Sequence, residues 1–146
     1  MVESVSLRIA FGLAEAHEAL MHYLADRLAE AGHAGVTASA LGFLGQLDCG
    51  VNHAAGIARR LGVSRQMVAK TVAEMERAGW LRVAPDTQHG NRKTIRFTAD
   101  GERLMADARQ VLATLDAEIE RACGTGFAER MDADLGRLRA VLTDDR

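Results

Sequence analysis

The sequence predicts a mainly α-helical fold interrupted by one small β-hairpin. Three observations carry this. Apolar residues recur at three- and four-residue intervals along most of the 146 positions. From residue 81 to 97 the period shortens to two, with Leu81, Val83, Ile95 and Phe97 alternating with Arg82, Thr94 and Arg96. The one proline, Pro85, stands where the first of those strands should end. Aromatics make up 4% of the chain against 48% hydrophobic residues, so the core must be Leu, Val, Ile, Met and Ala.

Each element has its own signal. Over residues 4–30, Ile9, Leu13, Leu20, Leu24 and Leu28 repeat at helical spacing, and Gly32 and Gly35 end the helix. Thr37 is a cap for a second helix that buries Leu41, Leu44 and Leu47 and stops near Gly50. Asn52 is a candidate cap for a short third helix over 53–61, where Ala54, Ile57, Ala58 and Leu61 form the inward face. Gly62 then allows a left-handed turn, and Ser64 caps a fourth helix, about 65–78, with Val68, Val72 and Met75 inward. Gly79 closes it. The hairpin turns around 86–93. Thr98 and Asp100 open a fifth helix, striped by Leu104, Ala108, Val111, Leu112, Leu115 and Ile119, and Gly124 and Gly126 break it. A sixth helix over about 127–142 carries Phe127, Met131, Leu135, Leu138 and Leu142.

Charge narrows the function. Residues 52–97 hold nine basic side chains against three acidic ones, a surplus of six positive charges. The rest of the chain holds nine basic against seventeen acidic, a deficit of eight. A basic centre between acidic ends points to a localised anionic partner. Cys49 and Cys123 lie far apart, which argues against a disulfide scaffold or zinc finger and fits a reducing cytoplasm. No apolar run approaches membrane length, so the expectation is a cytoplasmic protein with no membrane partner. The chain carries no phosphate-binding glycine loop, no nucleophile elbow and no HExxH pair, and neither an enzyme nor a cofactor is expected.

The third and fourth helices, joined through Gly62, Val63 and Ser64, form a helix-turn-helix pattern. A capped fourth helix presents its polar N-terminal residues outward, where they reach base edges in a major groove. Arg65 can pair with guanine and Gln66 with adenine, Ala69 permits close approach, and Lys70 can neutralise a phosphate. The basic hairpin that follows adds a wing. The whole is a winged helix-turn-helix with N- and C-terminal dimerisation helices.

The run 61-LGVSRQMVAKTVAEMERAGWLRVAPDTQHGNRKTIRFTADGERL-104 resembles the MarR family of bacterial transcription regulators. The likeness rests on the LGVS turn, the E-x-x-G-W-L exit from the fourth helix, the Pro-Asp step into the wing and the R-F-T-x-x-G exit from it. It implies a single domain over 1–146, with a DNA-binding lobe over 37–98 and a dimerisation region over 1–30 and 99–146. It implies a homodimer on a pseudo-palindromic operator in double-stranded DNA, and repression relieved by a small ligand or by oxidation. The DNA-binding residues it implies are Ser64, Arg65, Gln66, Ala69, Lys70, Asn91, Arg92 and Lys93. The wing departs from the family pattern: the register usually held by Asp-x-Arg is His89-Gly90-Asn91 here. Either Arg92 takes over the reach into the minor groove or the wing touches phosphate only. Asp86 is a candidate for a structural role at the base of the wing.

The amphipathic stretches 4–30 and 99–142 are longer than a small core can cover, and a symmetric partner is the expected cover, with packing of the two ends on each other as the alternative. The rival function is a winged-helix protein-interaction module that does not bind DNA. Met21, Met67, Met75, Met105 and Met131 are expected in the core or an interface. Glu18 and His22, four apart, are read as a surface pair or pocket lining, with shared metal as the alternative. Cys49 and Cys123 are read as packed or idle, with redox sensing as the alternative.

Overall fold

Local capping and apolar period build most elements where the sequence predicts them. The computed structural model describes residues 4–143. Its elements are α1 (Val5–Glu30), α2 (Ala38–Leu44), α3 (Ala54–Leu61), α4 (Arg65–Arg77), β1 (Leu81–Pro85), β2 (Lys93–Phe97), α5 (Ala99–Cys123) and α6 (Phe127–Thr143). β1 and β2 pair antiparallel, with Leu81 opposite Phe97 and Pro85 opposite Lys93. A helix pair followed by a two-stranded hairpin makes this a winged helix-turn-helix fold. No described helix is long and apolar enough to cross a membrane.

The chain divides into two compact units, one ending at Ala108 and one starting at Arg109. In the first, the most deeply buried side chains are Leu28, Leu44, Ile57, Val68, Leu81 and Leu104. They come one each from α1, α2, α3, α4, β1 and α5, so each of these six elements is anchored by about 1.5–3 kcal/mol of side-chain burial. Thr37 Oγ1 accepts the Ala40 N–H at 3.1 Å, and Thr98 Oγ1 accepts the Gly101 N–H at 3.0 Å, so both predicted caps form. His33 Nε2 lies 2.6 Å from Asp107 Oδ2, joining the loop after α1 to α5.

The second unit holds the end of α5 and all of α6. Glu120 accepts the Gly126 N–H at 2.6 Å through its carboxylate, fixing the turn between the helices. Gly124 and Gly126 both take positive φ there, as the predicted break requires. Leu112, Met131 and Leu142 are exposed, and α6 fully buries no residue.

Three expectations are corrected. α2 ends at Leu44 rather than near Gly50, and the chain then runs through tight turns, Gln46 N–H to Phe43 and Leu47 N–H to Leu44. Leu41 and Leu47 are half-buried, while Ala40 and Phe43 supply the buried face beside Leu44. In α1, Leu24 and Leu28 are buried, but Ile9, Leu13 and Leu20 are exposed, together with Val5, Leu7 and Phe11. Asn52 is not the cap of α3. That position belongs to His53, whose side chain makes no capping bond, and Asn52 is buried one residue earlier. Its side chain is drawn into another contact: it accepts the Asp48 N–H at 2.8 Å and donates to the Asp48 carbonyl at 2.9 Å.

Candidate nucleic-acid interface

Gly62 adopts φ +65° and ψ +33°, the left-handed conformation that an L side chain resists. This turn sends the chain from α3 into α4. Ser64 then accepts the Met67 N–H through its Oγ at 3.1 Å, which satisfies one of the free donors of the first turn of α4. Val68, Val72 and Met75 face inward and leave the opposite side of the helix to solvent. Arg65, Gln66, Ala69 and Lys70 are all exposed, as predicted. An open cleft of about 330 Å³ lies between the two helices, lined by Ala55, Ala58, Arg59, Gly62, Val63 and Arg65. Arg59 enters the candidate surface through this cleft. Its signal was its place in the last turn of α3, three residues before Gly62.

The hairpin is closed by the Asp86 N–H donating to the Arg92 carbonyl at 2.9 Å, and by the Arg92 N–H donating to His89 at 2.9 Å. Asn91, Arg92 and Lys93 are exposed. Arg92 stands at the foot of the tip, where its backbone is held, and Asn91 belongs to the tip itself. The wing is tied down through Ile95, which is buried, and through Asn52, which forms an antiparallel bridge with it.

Asp86 organises the tip. Its Oδ1 accepts the Gln88 N–H at 2.9 Å. Its Oδ2 lies 3.5 Å from His89 Nδ1 and 4.0 Å from His53 Nε2. The Gln88 amide is the largest influence and holds the Asp86 carboxyl below its ordinary value of 3.8; desolvation opposes it, and the His89 and His53 rings add smaller lowering effects. His53 also lies 3.2 Å from the Lys93 carbonyl through Nδ1, so one ring touches both strands' ends.

Residues 34–90 match the family model of the MarR family. This segment is similar to the MarR family. It contains the turn at Gly62, the whole of α4 and the first half of the wing. Solved structures share the fold over the full length. FabT from Streptococcus pneumoniae, in complex with DNA, superposes with a TM-score of 0.78 at 13% identity, covering 97% of this chain and 99% of that one. PcaV from Streptomyces coelicolor, in complex with its natural ligand, gives 0.68 at 22% identity, with 96% of each chain covered. A MarR-family transcriptional regulator from Rhodococcus sp. RHA1 gives 0.66 at 17% identity, with 98% of each covered. Comparison with curated proteins gives no match.

Around the matched segment, several sequence candidates fall elsewhere. Met67 is exposed on α4, not in the core, because Val68, Val72 and Met75 already fill the inward face. Met75 is buried as expected, and Met131 is exposed. His22 turns its Nδ1 to the Glu18 backbone carbonyl at 3.0 Å, not to the carboxylate. Among the described residues no group of three or more His, Cys, Asp or Glu side chains is placed to hold a metal. Cys49 and Cys123 are free and exposed, so neither is packed, and Cys49 lies beyond the end of α2.

Proposed function

We propose that this protein is a sequence-specific regulator of transcription that binds double-stranded DNA as a homodimer and represses from a pseudo-palindromic operator. The observation that carries the reading is the Ser64-capped start of α4. It holds Arg65, Gln66, Ala69 and Lys70 outward beside a basic wing, within a segment that carries a surplus of six positive charges. Arg65 and Gln66 read base edges, and Lys70 neutralises a phosphate. Asn91, Arg92 and Lys93 meet the minor groove or its phosphates. The lobe over 37–98 binds DNA, and no catalytic step is assigned to it.

The dimer reading is supported by the apolar side chains that one chain leaves in water. On α1 these include Phe11, 63% exposed, and on α6 Val141, 72% exposed. Residues 1–30 and 99–146 form the dimerisation region, and two copies of α4 address half-sites about one turn apart, ~34 Å. By analogy with the DNA-bound and ligand-bound structures of similar fold, a small molecule releases the operator by favouring another spacing of the two heads.

The test is a gel shift with the DNA upstream of the protein's own gene, run over a salt series. Each phosphate contact should steepen the fall of log affinity with log salt by about 0.9. Absence of any shift at low salt overturns the reading in favour of a protein-interaction module. Sedimentation checks the dimer, and a monomer at micromolar concentration removes it.

A further inference from the structure

One residue of α4 is out of keeping with its neighbours. Met67, third in the helix, is 56% exposed. Over residues 34–98 the one other exposed large hydrophobic side chain is Val51, at 39%. The Met67 backbone is fully engaged: its N–H donates to Ser64 Oγ at 3.1 Å, and its carbonyl accepts from Thr71 Oγ1 at 3.0 Å. The first turn is therefore locked, and with it the direction in which the Met67 side chain leaves the helix. Met67 and Lys70 are three apart, which places them on one side of α4, next to Gln66.

A long thioether exposed on a polar helix face gains nothing from the fold of its own lobe. A face that meets base edges offers it one apolar target, the C5 methyl group of thymine, which lines the major groove. Methionine suits this contact because its three rotatable bonds and polarizable sulfur adapt to the position of the methyl.

We propose that Met67 determines specificity by packing on a thymine C5 methyl group in the major groove, once in each half-site. The inference rests on the DNA-binding reading above. Arg65 and Gln66 supply hydrogen-bond readout, which is satisfied by guanine and adenine. Met67 supplies an apolar readout that separates thymine from cytosine on hydrophobic contact alone.

The test uses a duplex that the wild-type protein enriches from a randomised pool. It is resynthesised with each thymine replaced in turn by deoxyuridine, which lacks only the C5 methyl. At one thymine per half-site the replacement should weaken wild-type binding roughly three- to tenfold. Met67→Ala should bind the thymine duplex more weakly by a similar factor and should not distinguish thymine from deoxyuridine there. Met67→Leu should keep part of the distinction. The proposal is overturned if wild type binds every deoxyuridine duplex as tightly as the parent, or if Met67→Ala discriminates as wild type does. Lys70→Ala, assayed in parallel, keeps the two readings apart. If it weakens binding while no methyl matters, DNA binding stands and the Met67 role falls. If no duplex is enriched and none shifts at low salt, both fall. Met67→Ala should keep the thermal midpoint of wild type, and a lowered midpoint with equal losses on both duplexes assigns Met67 to folding instead.

Discussion

Asn52 and Ile95 exchange two backbone hydrogen bonds, 2.9 Å from the Asn52 N–H to the Ile95 carbonyl and 2.8 Å in return. The loop before α3 is thereby a third, one-residue rung on the wing. The Asn52 side chain holds Asp48 by both its backbone groups, and Arg60 pairs with the Asp48 carboxylate at 3.2 Å. One buried amide thus joins the end of the α2 region, α3 and β2.

Asn52→Ala should destabilise the protein by about 1–3 kcal/mol, because it leaves the Asp48 N–H and carbonyl without their partner. Urea unfolding measures the loss. Hydrogen exchange should show faster opening at Ile95, whose N–H donates to Asn52.

Gly101 is the second tight point. A methyl group added there would come 2.0 Å from the Trp80 carbonyl oxygen and 3.0 Å from Phe97. The start of α5 lies against the end of the α4–β1 turn, and only hydrogen fits between. Gly101→Ala should cost roughly 1–3 kcal/mol through overpacking, and the thermal midpoint should fall accordingly. An unchanged midpoint would mean that the backbone yields there at no cost.

Arg82 and Arg96 stand directly opposite each other across the hairpin, both exposed. Like charges at that separation destabilise a strand pair. Arg96→Glu turns the pair attractive and should raise stability by roughly 0.5–1 kcal/mol at low salt, with the gain fading in high salt. Arg96 is the better position to change, because the Glu76 carboxylate already accepts the Val83 N–H beside Arg82 at 3.1 Å.

Asp86 makes the wing sensitive to acid. Its folded pKa is lowered, so the bonds of its carboxylate contribute above the ordinary value of 3.8 and are lost as pH falls below it. Amide signals of residues 86–92 should change in that window before the core unfolds. Asp86→Ala should abolish the change and weaken DNA binding through a loosened tip.

The α4 surface predicts two different kinds of loss. Lys70→Ala should weaken binding to all DNA sequences alike and reduce the salt slope by about one. Gln66→Ala should change preference at one base position, at a cost of about 1–3 kcal/mol for the preferred base. Arg92→Ala asks whether the foot of the wing replaces the arginine that Asn91 displaces. Unchanged affinity would show that it does not.

Periods and caps are local, and the chain alone therefore determined the helices, the hairpin between Leu81 and Phe97, the Gly62 turn and the Ser64 and Thr98 caps. Each depends on residues no more than a turn or a strand apart, and the exposed set Arg65, Gln66, Ala69 and Lys70 followed from the inward spacing of Val68, Val72 and Met75. What remained belonged to contacts between distant residues. Asn52 looked like a cap because its local options include one, but Asp48 and Ile95 offered partners that satisfy more of its polar groups. Met67 was expected in the core or an interface because methionine is apolar, and the core arc of α4 was already occupied. Gly101 carried no sign of the Trp80 carbonyl that excludes a side chain. His53 and His89 are 36 residues apart in number, and only the folded hairpin brings both rings to one carboxylate. Tertiary structure decided these because each is a choice among partners that sequence period does not bring together.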